Sequence, residues 1–419
     1  MPRLLYLAVL WLALPGVLVR LWWRGRKEPA YRERVGERLG RYPARERRPV
    51  IWVHAVSLGE TRAVQALVNL LRARYPDHEI LITQMTATGR AAAKSLFGDG
   101  VTLAWLPYDY PFAVRAFLRH FRPVLGVLME TEVWFNLVRE CRRAGIPLLL
   151  ANARLSERSA RRYRLAGGLA RDAFGDLSLV AAQTGADADR LRATGARHVV
   201  VTGNMKFDIP AGEVAEGVVV LLRKCAQGRS VFLAASTREG EEAMILDALA
   251  ADPIRDVLVV IVPRHPQRFG EVARILESKG VEFGVRSAGT ARPCSVLLGD
   301  SLGELASYYA VADVAFVGGS LVPLGGQNLI EACAAGVPVL IGPHTFNFSQ
   351  ASEQAIQAGA AERVPDAAAL REAVRRLLGD PARRAAMGRA GREFCDIHRG
   401  ASARTAGLID NLLGEAKAG

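Results

Sequence analysis

Val322-Pro323-Leu324-Gly325-Gly326-Gln327-Asn328-Leu329-Ile330-Glu331-Ala332 decides the fold. The run before it, Ala312-Asp313-Val314-Ala315-Phe316-Val317-Gly318-Gly319-Ser320, reads as a short buried strand ending in a glycine pair. After it, Ala332 to Gly336 continues a helix, and Val337-Pro338-Val339-Leu340-Ile341-Gly342-Pro343 reads as the next strand. The order strand, glycine-rich loop, helix, strand is a piece of parallel α/β sheet. A helix opening on glycines presents unpaired N–H groups and a positive dipole end, which suits a phosphate. Asn328 and Glu331, three apart, are expected on one face of the first turn, where a carboxylate can accept hydrogen bonds from sugar hydroxyls. Glycine-rich loops are weak signals, and an ordinary α/β turn with a structural glycine pair is the alternative reading.

The same rhythm extends in both directions. Upstream, Val231–Ala235 and Val257–Val262 read as strands ending in Ser236-Thr237-Arg238-Glu239 and Pro263-Arg264-His265-Pro266. A strand around Val296 follows, then Asp300–Leu305, expected to open a helix. Pro381–Leu413 is expected to be helical. Before Pro210 and Gly212, which mark a linker, a first set of strands begins at Val50, Glu79, Val101, Val124, Pro147, Leu179 and Val199. The helix after the first strand is expected over Thr61–Tyr75. Strands alternating with helical stretches give parallel sheets with right-handed crossovers, which bind ligands at the carboxyl ends of their strands. The division expected is an anchor over residues 1–24, an α/β domain over 25–210 and a second over 211–419, whose last helix could return to the first domain.

Leu4–Val19 is almost wholly apolar, broken only by Pro15 and Gly16, and is followed by Arg20, Trp22, Trp23, Arg24, Arg26 and Lys27. No small-residue cleavage site follows it, and it shows almost no polar face, so it reads as a membrane anchor, short for a full span of about 20 residues. The basic excess on its C-terminal side places the body in the cytoplasm, against the inner membrane. Arg32, Arg34, Arg38, Arg41, Arg45, Arg47 and Arg48 come next, interspersed with glutamates; they are read partly as a solvated helix face and partly as a surface for anionic lipid headgroups. The net charge of +13 over 419 residues calls for an anionic partner. Nucleic acid is disfavoured, since no helix-turn-helix or aromatic single-strand platform stands nearby. The five cysteines are scattered, without disulfide or metal spacing, and nothing calls for a metal or another cofactor.

Two facing α/β domains with a central cleft suit a two-substrate transfer. In the second domain, Ser236, Arg264, His265, the backbone at Gly325 and Gly326, and the Asn328 helix end can supply donors to an anion. In the first, Glu60 stands in the turn Ser57-Leu58-Gly59-Glu60 after a buried strand. It can act as a base on an acceptor hydroxyl attacking an anomeric carbon, or simply stabilise a helix N-terminus. Glu130 and Glu132, at the end of a neighbouring strand, are rivals for the role.

Val53-His54-Ala55-Val56-Ser57-Leu58-Gly59-Glu60, Met129-Glu130-Thr131-Glu132, Gly203-Asn204-Met205-Lys206-Phe207-Asp208, Pro263-Arg264-His265-Pro266 and the Gly325–Phe348 block together resemble the membrane-associated 3-deoxy-D-manno-octulosonic acid (Kdo) transferases of lipopolysaccharide synthesis. The match keeps its order along nearly the whole chain. The resemblance implies a GT-B fold and an inverting, metal-independent glycosyltransferase with CMP-Kdo as donor and lipid IVA as acceptor. It implies Glu60 as general base, Ser57 and Gly59 shaping the acceptor side, Arg264 and His265 at the CMP, and Asn328 and Glu331 at its phosphate and ribose. Glu132 and Lys206 match family motifs on the acceptor side. Many members carry histidine where Gln327 stands, and Val56-Ser57-Leu58 replaces a more frequent alanine-serine-valine run. The residues taken alone leave a GT-B transferase using a UDP-sugar, or a membrane-tethered binder, as alternatives.

Overall fold

The computed structural model describes residues 2–45, 48–210, 212–289 and 294–418; Arg47, counted above in the basic run, lies outside them. The chain divides into two compact units, Met1–Ile209 with His398–Gly419, and Pro210–Ile397.

The first unit carries β1 (Val50–His54), β2 (Glu79–Gln84), β3 (Thr102–Trp105), β4 (Pro123–Met129), β5 (Leu148–Ala153), β6 (Leu179–Ala182) and β7 (Val199–Val201). They form one parallel sheet in the order β3-β2-β1-β4-β5-β6-β7. Both faces are covered, which is why β1 is apolar from Val50 to Val53 and wholly buried. Alternate residues serve opposite cores: Trp52 packs with Leu81, Phe117 and Val138 on one side, and Ile51 and Val53 with Leu67, Ile82 and Val127 on the other. The expected helix over Thr61–Tyr75 is two, Leu58–Ala63 and Gln65–Arg74, meeting at Val64.

The second unit repeats the plan with β8 (Ser230–Thr237), β9 (Val257–Pro263), β10 (Phe283–Val285), β11 (Val296–Leu298), β12 (Val314–Val317), β13 (Val339–Ile341) and β14 (Ala361–Arg363), in the order β10-β11-β9-β8-β12-β13-β14. All its pairings are parallel.

The C-terminal stretch is two helices rather than one. Pro381–His398 belongs to the second unit up to Ile397, and Gly400, at φ 91°, turns the chain into Ala401–Ala418 in the first. Asp208 fixes this return by accepting hydrogen bonds from the N–H groups of Gly400 and Ser402, both 2.6 Å. Arg404 Nε donates to the Thr202 carbonyl (2.8 Å), and Ala406 and Ile409 complete the core beside Met205. The Gly203–Asp208 motif is thereby explained in part as a clamp on the last helix.

The apolar N-terminal helix, Pro2–Lys27, continues through Pro15. It lies along the first unit: Tyr6 donates to Asp109 (2.7 Å), Trp11 meets the Tyr110 ring at 5.1 Å, and Leu21 packs on Tyr31 and Ala87. Leu4, Leu5, Val9, Leu12, Val19 and Trp23 recur at helical spacing on the opposite face and are exposed. The following arginines are only partly solvated: Arg38 is 1% exposed, and Arg45 pairs with Glu79.

Candidate active-site residues

In the first unit the site grows from the turn after β1. Ser57 caps the Leu58–Ala63 helix, its Oγ accepting from the Glu60 N–H (3.4 Å) and donating to Glu60 Oε1 (3.0 Å). Glu60 Oε2 accepts from the Val56 N–H at 2.9 Å. This reciprocal arrangement, a variant of the capping box, fixes the carboxylate's rotamer. Burial then pushes the Glu60 carboxyl up to about 7, with the negative charges of Glu130 and Glu132 adding to the rise. Cap and base are therefore compatible: the cap holds in place a carboxyl tuned for proton transfer near neutral pH. A Cβ at Gly59 would meet only Ser57 Oγ, at 3.9 Å, so glycine leaves that spot open.

Glu130, at the end of β4, has φ 53°, a conformation few non-glycine residues adopt. Its carboxylate pairs with Arg154 Nε at 2.9 Å and Lys206 Nζ at 3.2 Å. So engaged, it is a poor candidate for a base. Glu132 accepts from the indole N–H of Trp134 (2.8 Å), and burial raises its carboxyl. Trp134 also packs edge-on against His54, centroids 6.2 Å apart. His54 is held neutral, burial lowering its imidazole to about 4; Nδ1 sits 3.0 Å from the Thr83 carbonyl oxygen. Thus Ser57, Glu60, Glu132 and Lys206 gather at the carboxyl ends of β1 and β4 and the segment after β7.

In the second unit Ser236 sits in a bulge at the end of β8, with φ 55°. Arg264 and His265 follow β9, and the Arg264 N–H donates to the Thr237 carbonyl (3.0 Å). Burial, Arg238 and Arg264 all lower the His265 imidazole, which favours its neutral form. Arg264 Nε donates to Gln327 Oε1 at 3.1 Å, so the glutamine aims the guanidinium. Replacing Gln327 by alanine is expected to raise the KM for the donor roughly tenfold with a smaller effect on kcat, the size of one hydrogen bond to a charged group, measurable by steady-state kinetics.

The glycine loop differs from the sequence expectation in two ways. The helix runs Ile330–Ala335, so Asn328 precedes it rather than lying in its first turn. Asn328 Oδ1 accepts from the Ile330 N–H (3.1 Å) and its amide donates to Glu331 (3.0 Å). Of the Gly325 and Gly326 backbone expected to face an anion, the Gly326 N–H instead bonds the Gly319 carbonyl (2.7 Å), beside a bond from the Gln327 N–H to the Gly318 carbonyl (3.0 Å). Gly325 is required for another reason: at φ 89°, a Cβ would also lie 2.4 Å from the Asn347 side chain.

Sequence reading missed the residue organising these loops. Glu241 is fully buried and accepts four backbone hydrogen bonds, from Arg238 (2.9 Å), Gly319 (2.6 Å), Ser320 (3.0 Å) and Leu321 (3.0 Å). It ties the loop after β8 to the loop after β12. In sequence it is only an acidic residue opening a helix, the commonest of choices.

Two parallel α/β units with polar loops at their strand ends define the GT-B architecture. Solved structures of that architecture cover 88% of the chain. An Anabaena HepE structure in complex with UDP aligns at TM-score 0.60 and 14% identity over 100% of its own length, which speaks to the fold alone. Residues 33–209 match the family model described as 3-deoxy-D-manno-octulosonic-acid transferase, and residues 276–394 that of glycosyl transferases group 1. The 3-deoxy-D-manno-octulosonic acid transferase of Bordetella pertussis is 46% identical, covering 96% of this chain and 97% of its own; that of Haemophilus influenzae is 37% identical over 98% and 99%. The chain belongs to the family of Kdo transferases, glycosyltransferases of lipopolysaccharide synthesis.

Proposed function

We propose that the protein moves Kdo from CMP-Kdo to a sugar hydroxyl of lipid IVA, with inversion and without a metal ion. The observation that carries the reading is Glu60, a carboxyl fixed by Ser57 and Val56 and raised to about 7. Glu60 takes the acceptor hydroxyl proton as that oxygen attacks the anomeric carbon; the bond from that carbon to the phosphate oxygen breaks, and CMP leaves. Lys206 and Glu132 border the acceptor. Arg264, aimed by Gln327, and His265 meet the CMP phosphate, and Ser236, Asn328 and Glu331 complete the donor side, the glycines at 325 and 326 shaping the loop. Fixed cationic and N–H donors stabilise the leaving phosphate's charge as a divalent ion would.

The exposed Leu4–Trp23 stripe supports membrane association, and the basic residues after it favour the cytoplasmic face of the inner membrane. The helix is long and apolar enough to cross a bilayer. It nevertheless contacts the first unit from Tyr6 to Leu21, which favours an in-plane position, its outer stripe among acyl chains and Arg20, Arg24 and Arg26 among anionic headgroups. The test is transfer in the presence of EDTA with competing nucleotides. Undiminished transfer inhibited by CMP is expected; inhibition by UDP alone would replace the donor with a UDP-sugar, and loss with EDTA would overturn the metal-free reading.

A further inference from the structure

Arg38 is 1% exposed, yet no carboxylate lies within ion-pairing distance of it among the described residues. Its buried Nε and Nη2 have no acceptor in hydrogen-bonding geometry, Nη1 reaches Met85 Sδ at 4.0 Å, and its one polar side-chain neighbour, the Tyr108 hydroxyl, is neutral and so does not balance its charge. The guanidinium lies 4.1 Å from the centre of the Trp105 ring and 5.8 Å from that of Tyr108. Arg90 stands over the same Trp105 at 5.0 Å; its Nη2 donates to the Leu103 carbonyl (3.3 Å), and its buried Nη1 has no partner. Gln84, paired with Trp105 across β2 and β3, is fully buried with both ends of its amide unpaired. Two guanidinium groups thus share one tryptophan at the carboxyl ends of β2 and β3. The buried carboxylate of Glu37 favours the charge on Arg90 from a distance, but its hydrogen bonds go to the Trp105 N–H (2.8 Å) and Arg34 (3.4 Å).

Buried cations are normally paired, because an unpaired one forfeits its hydration. Neighbouring like charges sharpen the imbalance. Enclosure from water also strengthens the pull on any anion that reaches these donors. Guanidinium forks fit phosphate oxygens bidentately.

The surroundings say which phosphate. Gly89, next to Arg90, lies against the Glu60 loop: a Cβ there would come within 3.0 Å of the Val56 carbonyl, and Thr86 Oγ1 donates to that oxygen at 2.9 Å. On its other side the Ala87–Phe97 helix meets the N-terminal helix, through Ala87 packed with Leu21 and Tyr31. Tyr31 stacks on Trp105, centroids 6.4 Å apart. The cluster therefore lies between the base that receives a sugar hydroxyl and the helix that carries the apolar stripe.

We propose that Arg38 and Arg90, with Gln84 beside them, form a binding site for a phosphate monoester on the headgroup of the lipid acceptor. This rests on the reading of Glu60 as the acceptor-side base. The site orients the headgroup so that the reacting hydroxyl meets Glu60.

The experiment compares wild type with Arg90→Gln and Arg38→Met, using phosphorylated acceptor and the same lipid treated with phosphatase. Arg90, half-buried, is the safer variant for folding; Arg38→Met keeps an apolar contact with Trp105. Expected is a rise of roughly 10- to 100-fold in acceptor KM for each variant, with donor KM unchanged. Dephosphorylated acceptor should penalise wild type similarly and the variants little further. Inorganic phosphate should compete with the acceptor and raise the melting temperature of wild type more than that of Arg90→Gln. That melting arm reads the site even where no transfer occurs, and so separates its failure from a wrong substrate. A KM penalty that persists undiminished on dephosphorylated acceptor, or phosphate stabilisation identical in wild type and variant, overturns the proposal. Competition by free phosphate without any effect of removing the acceptor's phosphate would make the source a soluble anion and overturn the lipid assignment.

Discussion

Glu60→Gln is expected to lower kcat for Kdo transfer by roughly 10²- to 10⁴-fold, the range for loss of a positioned base, and to leave CMP affinity unchanged. Glutamine retains a carbonyl oxygen for the Val56 N–H and a polar contact for Ser57, so the turn keeps its shape while the proton acceptor is lost. The wild-type pH profile makes the same point. The Glu60 carboxyl, raised to about 7 by burial, is protonated below that pH and cannot act. Hence kcat/KM should climb about tenfold per pH unit up to about 7 and then level, and the residual activity of the glutamine variant should lack this limb. Stability responds in the opposite sense. A carboxyl whose pKa rises on folding makes the folded state bind more protons than the unfolded one, so its contribution falls as pH rises from 4.5 to about 7. At pH 8 Glu60→Gln should therefore melt no lower than wild type, whereas Glu60→Ala also loses the cap and melts lower. A glutamine variant that melts well below wild type at pH 8 and transfers normally would reduce Glu60 to a capping residue.

Glu241→Ala removes the acceptor of four backbone N–H groups, three of them on consecutive residues of the Gly319–Leu321 loop. Each buried donor left unsatisfied costs about 1–3 kcal/mol. Together they reach a large part of a domain's stability, typically about 5–15 kcal/mol. The expected result is a strongly lowered unfolding midpoint for the second unit in urea and loss of CMP binding. Glu241→Gln, keeping one acceptor oxygen, should fall between. An alanine variant with a native midpoint and native CMP affinity would show that the loops after β8 and β12 hold without this carboxylate.

The strands with long apolar runs were legible in the sequence because burial on both faces leaves no polar alternation. The edge strands β10 and β14 were not, being three residues each and containing Gly284, Glu362 and Arg363. Glu60, Lys206 and Arg264 could be located because each follows a recognisable strand or lies in a family motif. What they touch could not: the Arg264–Gln327 bond joins residues 63 apart, and the Lys206–Glu130 pair crosses from the segment after β7 to the end of β4. Gly326 shows how a correct motif can carry an incorrect role, since its N–H is used to bind Gly319. Arg38 shows the same for charge. In a run of arginines nothing distinguishes the one whose side chain turns inward onto Trp105, because that depends on β3, more than sixty residues away.

The most direct test of the account is a transfer assay on purified protein in detergent, with lipid IVA and freshly generated CMP-Kdo, wild type beside Glu60→Gln, and products read by mass. Lipid that gains Kdo with wild type and none with the variant is the result expected. Equal transfer by the variant would contradict Glu60 as the base, and lipid IVA left unmodified by wild type while a UDP-sugar is consumed would contradict the assignment of both substrates.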